Sequence, residues 1–174
     1  GLSTAPRMGG IVTTPAIAVV GYSDSGKTRV ASALVERLTG RGYRVAAIKH
    51  TPHGHDADVD DSDTGRLYAA GAAVVVASSP TRLTRFERSE RDRSLECIVS
   101  SIGSDIDLVV AEGFKTSLIP KVLVANGRSP APPVENVIAV VADAPETPNI
   151  PTYSPGDLSG LADQIVRQFL KPPV

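Results

Sequence analysis

The sequence predicts an α/β fold, a mainly parallel β-sheet flanked by helices. Two observations carry this. Short apolar runs alternate along the chain with segments of helical periodicity. The first strand, helix and strand follow one another within the length of a single βαβ unit, with a glycine-rich loop joining the strand to the helix. Strands buried on both faces of a parallel sheet need such uninterrupted apolar runs.

The elements follow in order. Residues 16–20 (AIAVV) form the first strand, and residues 27–39 (KTRVASALVERLT) a helix with Val30, Leu34 and Leu38 on one face. Gly40 and Gly42 end that helix, with Arg41 near its negative pole. Residues 43–48 (YRVAAI) read as the second strand. Residues 49–64 (KHTPHGHDADVDDSDT) fit no period and form a long polar loop, the kind that usually carries function. A short helix over 64–70 stops at Gly71, and residues 73–77 (AVVVA) read as a third strand of the sheet. Residues 81–93 are dense in charge, with Arg82, Arg85, Arg88, Arg91 and Arg93, and suit a solvated helix. A helix over 95–102 leads to the fourth strand, 107–111 (DLVVA). Strands at 121–125 and 137–141 flank a proline-rich stretch. The last helix, 157–170, is capped by Asp157 and carries Leu161, Ile165 and Phe169 on one stripe.

Composition narrows the function classes. At 174 residues with 41% hydrophobic, the chain suits one domain with a real core. We expect a flexible leader at 1–15, one domain over 16–170 and a flexible tail at 171–174. The 18 basic and 19 acidic residues leave a formal charge of -1, which gives no electrostatic case for nucleic acid. The single Cys97 excludes an intrachain disulfide and a zinc site built on several cysteines, as suits a reducing cytoplasm. No apolar run approaches the roughly 20 residues that span a bilayer.

The strongest signal is the segment Gly21, Tyr22, Ser23, Asp24, Ser25, Gly26, Lys27, Thr28. It matches G-x-x-x-x-G-K-[ST] at every fixed position, after a strand and before a helix, and so predicts a P-loop nucleoside triphosphate hydrolase fold. Backbone amides of Gly21, Ser23, Asp24, Ser25 and Gly26 can face phosphate oxygens at a helix N-terminus. Lys27 can reach the outer phosphates, and the Thr28 hydroxyl can ligate Mg²⁺. The motif names a triphosphate grip; it does not name the base or prove rapid hydrolysis.

Strand ends converge on the ligand crevice of an open parallel sheet. Glu112, after the fourth strand, can hold a metal-bound water or orient an attacking one. Asp107 begins that strand, at the opposite edge, and is not expected to be catalytic. Asp56, Asp58, Asp60, Asp61 and Asp63 crowd the long loop, where one or two can sit near Mg²⁺. Lys49 and Arg66 can neutralise phosphate charge. His50, His53 and His55 are all the histidines of the chain and can contact phosphate, a second substrate or a transition metal. Asp143, after residues 137–141, can accept a proton of guanine.

Together these residues resemble the molybdopterin-guanine dinucleotide biosynthesis protein B family. The matching blocks are the glycine loop; Ile48, Lys49, His50 and His53; Asp58, Asp63, Thr64 and Arg66; Ala70, Gly71 and Ala72; residues 107–115 (DLVVAEGFK); and Pro120 with Lys121. The resemblance covers residue 16 to the final helix. It implies a dimeric, cytoplasmic protein that binds GTP and Mg²⁺, hydrolyses GTP weakly and touches molybdopterin. It also implies an accessory role beside the guanylyltransferase that attaches GMP to molybdopterin. It places Lys27, Asp58 and Glu112 in the catalytic set, and Thr28, Asp58 and Glu112 at the metal. Asp60, Asp61 and Ser62 stand where the family carries Pro-Gly-Lys, so an expected basic side chain is missing. Two other readings stay open from the residues: a nickel-insertion GTPase using the three histidines, and a P-loop kinase of small metabolites.

Overall fold

The computed structural model describes residues 13–52, 54, 63–127, 133–144 and 148–173. It divides into two compact units, Gly1–His50 with Ser94–Val174, and Thr51–Arg93.

The first unit is built on β1 (Ala16–Val20), β2 (Val45–Lys49), β5 (Leu108–Glu112), β6 (Lys121–Val124), β7 (Val137–Val141) and β8 (Thr152–Tyr153). They form one six-stranded sheet in the order β2-β5-β1-β6-β7-β8, with every pairing parallel. Every residue of β1 is buried. Successive side chains of a strand point to opposite faces, so the apolar runs feed two cores. Ile17, Val19, Leu108, Val110, Val122 and Val124 share one core with α1 (Lys27–Gly40) and α4 (Ser159–Phe169). Ala18, Val20, Val109, Ala111 and Leu123 share the other with α3 (Leu95–Ser100).

Each helix follows from its sequence. Val30, Leu34 and Leu38 are the buried residues of α1, and fully burying a leucine contributes roughly 1.5–3 kcal/mol. The helix ends as its glycines predict, with Gly42 left-handed at φ 91° and its N–H donating to Thr39 O at 3.0 Å. Ser94 caps α3, its hydroxyl accepting from Cys97 N at 3.2 Å. α4 starts at Ser159, two residues later than expected, with Leu158 rather than Asp157 as its N-cap and no side-chain cap bond. The Asp157 carboxylate, one residue before the cap, accepts from Ser159 N at 3.0 Å and Ser159 Oγ at 2.6 Å. Asp107 accepts from Arg44 N at 2.7 Å. It joins the starts of β5 and β2, at the edge opposite the strand ends, the position expected of it.

The second unit corrects two expectations. The third apolar run is β3 (Val74–Ser78), and it pairs antiparallel with β4 (Leu83–Glu87), outside the parallel sheet. The charged stretch expected to be helical contains β4. Its residues alternate exposed and half-buried, with Thr84 and Phe86 inward. The arginines are used locally. Arg85 and Arg93 both hold Glu87, at 3.0 and 2.8 Å, and their hydrogen bonds keep its carboxyl below the usual range. Arg88 lies over the ring of Tyr68 at 4.1 Å, so the hairpin is tied to α2 (Asp63–Ala69). Among the described residues no helix is long and apolar enough to cross a membrane.

The connection from β5 to β6 has no helix. β5 and β6 lie on opposite sides of β1, so residues 113–120 must cross it, and they set Phe114 and Ile119 against the α3-side core. Lys121, wholly buried where the crossing ends, donates from Nζ to Ser117 O at 2.5 Å and Ile119 O at 3.0 Å. Burial lowers its pKa from 10.5, against the opposing pull of Glu135 and Glu96. Between the lowered pKa and the unfolded value the unfolded chain holds more protons, so this group's contribution to stability rises with pH across that window. Lys121→Met should therefore destabilise by about 1–3 kcal/mol through the orphaned carbonyls. In urea titrations at a series of pH values, its deficit should widen as pH climbs toward 10.5. Parallel stability curves for the two proteins would contradict this.

Candidate functional site

β1 ends at Val20 and the chain turns at once. A Cβ on Gly21 would stand 2.6 Å from both Ser25 Oγ and Val124 O, so only glycine passes between the loop and β6. Asp24 is left-handed at φ 59°, and Gly26, the N-cap of α1, at φ 94°. These two positions curl residues 21–26 back over the helix start, with Ser25 N donating to Tyr22 O at 3.2 Å. Gly26 has no side chain to cap the helix, and no acidic residue lies in its first turn. The first-turn amides and the positive pole of α1 thus remain available to an anion. Ser25 Oγ is buried with no hydrogen-bond partner among the described residues.

Lys27 bridges the loop, donating from Nζ to Gly21 O at 3.0 Å and Tyr22 O at 3.3 Å. The next residue reaches across to another strand. Thr28 Oγ1 donates to Glu112 Oε1 at 2.7 Å, joining the first turn of α1 to the end of β5. Lys49, directly opposite Glu112 in the parallel ladder, brings Nζ to 3.9 Å from the same oxygen. Glu112 is largely shielded, its side chain 14% exposed, while that of Lys49 is 61% exposed. A cavity of about 360 Å³ opens beside Thr28 and Glu112, its apolar wall including Ala31, Val35 and Val110.

β2 and β5 stay joined beyond their ends. His50 N donates to Glu112 O at 3.0 Å, and Gly113 N to Val19 O at 2.9 Å. The His50 imidazole stacks on Phe114, centroids 4.5 Å apart and planes at 25°. Gly113 and Phe114 are both left-handed, at φ 97° and 60°. A Cβ on Gly113 would meet His50 Cβ at 3.2 Å.

Of the expected site residues, Gly21, Ser23, Asp24, Ser25, Gly26, Lys27 and Thr28 form one loop and helix start. Glu112, Lys49 and His50 adjoin it. Asp143 is exposed just after β7, on the edge of the sheet where the glycine loop leaves β1. Arg66 is exposed on α2, in the second unit. Asp58 and His53 lie outside the described residues, as do His55, Asp56, Asp60 and Asp61. The stack of Phe114 on His50 is new to the structure. The sequence holds both residues but gives no sign that they meet.

Thr28 and Glu112 offer a hydroxyl and a carboxylate, both hard oxygen donors. No group of three His, Cys, Asp or Glu side chains converges as a cage among the described residues. Few protein oxygens, with water and phosphate completing the shell, suit Mg²⁺ better than a transition metal.

Residues 16–143 match the family described as Molybdopterin guanine dinucleotide synthesis protein B. The chain is 32% identical to the molybdopterin-guanine dinucleotide biosynthesis adapter protein of Escherichia coli (strain K12), over 94% of this chain and 98% of that protein. It is 31% identical to the protein of the same name from Haemophilus influenzae, over 74% of each. The crystal structure of Bacillus subtilis MobB superposes with a TM-score of 0.73 at 26% identity, covering 90% of this chain and 98% of that one. The chain belongs to this family, and its parallel sheet flanked by helices is the P-loop-type α/β fold of those structures.

The loop geometry separates two kinds of glycine. Gly26 has open space around it and needs only its left-handed backbone, so Gly26→Asn should cost less than Gly26→Ala, since asparagine tolerates that conformation. Gly21 needs the space itself, so Gly21→Asn and Gly21→Ala should both destabilise by about 1–3 kcal/mol. Urea midpoints of the four variants test this; a well-tolerated Gly21→Ala would refute the close packing on Val124 O.

Proposed function

We propose that this chain is a GTP-binding accessory protein of molybdenum cofactor maturation. In this reading it assists a guanylyltransferase that converts molybdopterin to its guanine dinucleotide form, and its own Mg²⁺-dependent hydrolysis of GTP is weak. The observation that carries the reading is the 2.7 Å contact of Thr28 with Glu112 at the N-terminus of α1. It gathers a metal-binding hydroxyl and carboxylate beside uncapped amides, in a chain whose relatives are named biosynthesis adapter proteins.

The roles follow from position. The amides of residues 21–26 and the pole of α1 take the phosphates. Lys27 gives up its carbonyl partners to reach the outer phosphates. Thr28 and Glu112, joined in this proposal by Asp58, hold Mg²⁺, which neutralises charge on the phosphate oxygens. Lys49, 3.9 Å from Glu112, counters charge at the same place. His50 and His53 contact the phosphates or the molybdopterin partner, and Arg66 adds a further cation. Asp143 reads the guanine edge, where a carboxylate accepts from N1 and N2. A GTPase that turns over slowly fits the adapter role, since the bound state itself can be the signal to the partner. We further propose that the protein works in the cytoplasm as a homodimer.

Calorimetry with GTP, GDP and ATP in Mg²⁺, alone and with molybdopterin-loaded guanylyltransferase, tests this. GTP should bind about tenfold or more tighter than ATP, and tighter again with the partner present. A preference for ATP, or equal affinities with and without the partner, would overturn it.

A further inference from the structure

We propose that Phe114 is a positioning residue of this site, acting through His50. The inference rests on the reading of Thr28 and Glu112 as the metal end of a phosphate site. It concerns a residue that touches neither phosphate nor metal.

At the far end of the 113–120 crossing, residues 117–119 are each tied down. Lys121 Nζ holds Ser117 O and Ile119 O. Glu96 Oε1 accepts from Leu118 N at 3.2 Å, and Asn136 Nδ2 donates to Leu118 O at 3.0 Å. Side chains from β6, α3 and the approach to β7 therefore fix residues 117–119. The near end is Glu112, held by Thr28 and by the β-ladder. Between these fixed points stand Gly113 and Phe114, both left-handed.

A bulky residue at φ 60° is uncommon and persists only where its surroundings hold it. Two contacts do so here. One face of the ring stacks on His50, and the side chain also packs against the α3-side core. His50 in turn is joined through its backbone to Glu112 O. The ring of Phe114 thus sets the direction of the His50 imidazole relative to the Glu112 carboxylate. Gly113 lies close under His50, where an added Cβ would meet His50 Cβ at 3.2 Å.

The test uses the full chain and GTP with Mg²⁺. Phe114→Leu should weaken Mg²⁺–GTP binding about three- to tenfold, the worth of an aromatic pair. Phe114→Tyr, which keeps the stack, should retain wild-type affinity. In the His50→Ala background Phe114→Leu should have no further effect, because its influence passes through that ring. The nucleotide-free protein gives a second readout: the His50 imidazole resonances, assigned by their loss in His50→Ala, should move when Phe114 becomes Leu and lose their ring-current shift. Phe114→Met takes the place of Phe114→Leu if the latter fails to fold. Unmoved His50 resonances, or losses that multiply in the double variant, overturn the proposal. If the wild-type chain binds no nucleotide, the functional reading fails, and the imidazole resonances alone decide whether Phe114 sets the ring.

Discussion

The position of β1 is the constraint from which the rest follows. It hydrogen-bonds to β5 on one edge and β6 on the other, and its side chains enter both cores. Five buried residues leave it no freedom to shift: a slip of one position would exchange every side chain between the two faces. Whatever follows Val20 is therefore delivered to one place. Gly21 is squeezed against Val124 O of β6, and Glu112 of β5 lies level with Val19. The register of three strands thus sets where the loop and its carboxylate neighbour meet.

From this frame the site is assembled with few interactions. Two left-handed residues curl the loop, Lys27 closes it, and Thr28 reaches Glu112. The helix start keeps its positive pole uncapped. On the far side of Glu112 the chain takes another strained path, and there His50 and Phe114 lock the ends of two neighbouring strands. Strain gathers on both sides of the carboxylate while the β1–β5 and β2–β5 ladders beneath it keep an unbroken register.

The parts of this arrangement legible in the sequence are those with local causes. The run at 16–20, the glycine loop and the four-residue spacing of Val30, Leu34 and Leu38 each announce themselves within one element. Glu112 is legible because strand ends converge in such sheets. The hairpin was hidden because the charges of Arg85, Glu87 and Arg88 mask the alternation of Thr84 and Phe86, and because β3 alone cannot say which sheet it joins. Lys121 is legible only as the first residue of a strand; its burial depends on carbonyls of a crossing that has no periodic pattern. Phe114 is hardest of all. Its left-handed backbone and its stack on a histidine from another strand are tertiary facts with no local signal.

The central claim is that Thr28 and Glu112 form the metal end of a triphosphate site. The most direct measurement is GTP affinity with and without Mg²⁺ in the wild-type chain and in Glu112→Gln. Metal and nucleotide should strengthen each other in the wild type, within the range of about 5- to 150-fold seen for coupled ligands. That coupling should collapse in Glu112→Gln, while metal-free binding persists on the loop amides. An undiminished Mg²⁺ effect in the variant would mean that the carboxylate held by Thr28 serves only to fasten α1 to β5, and the claim would be wrong.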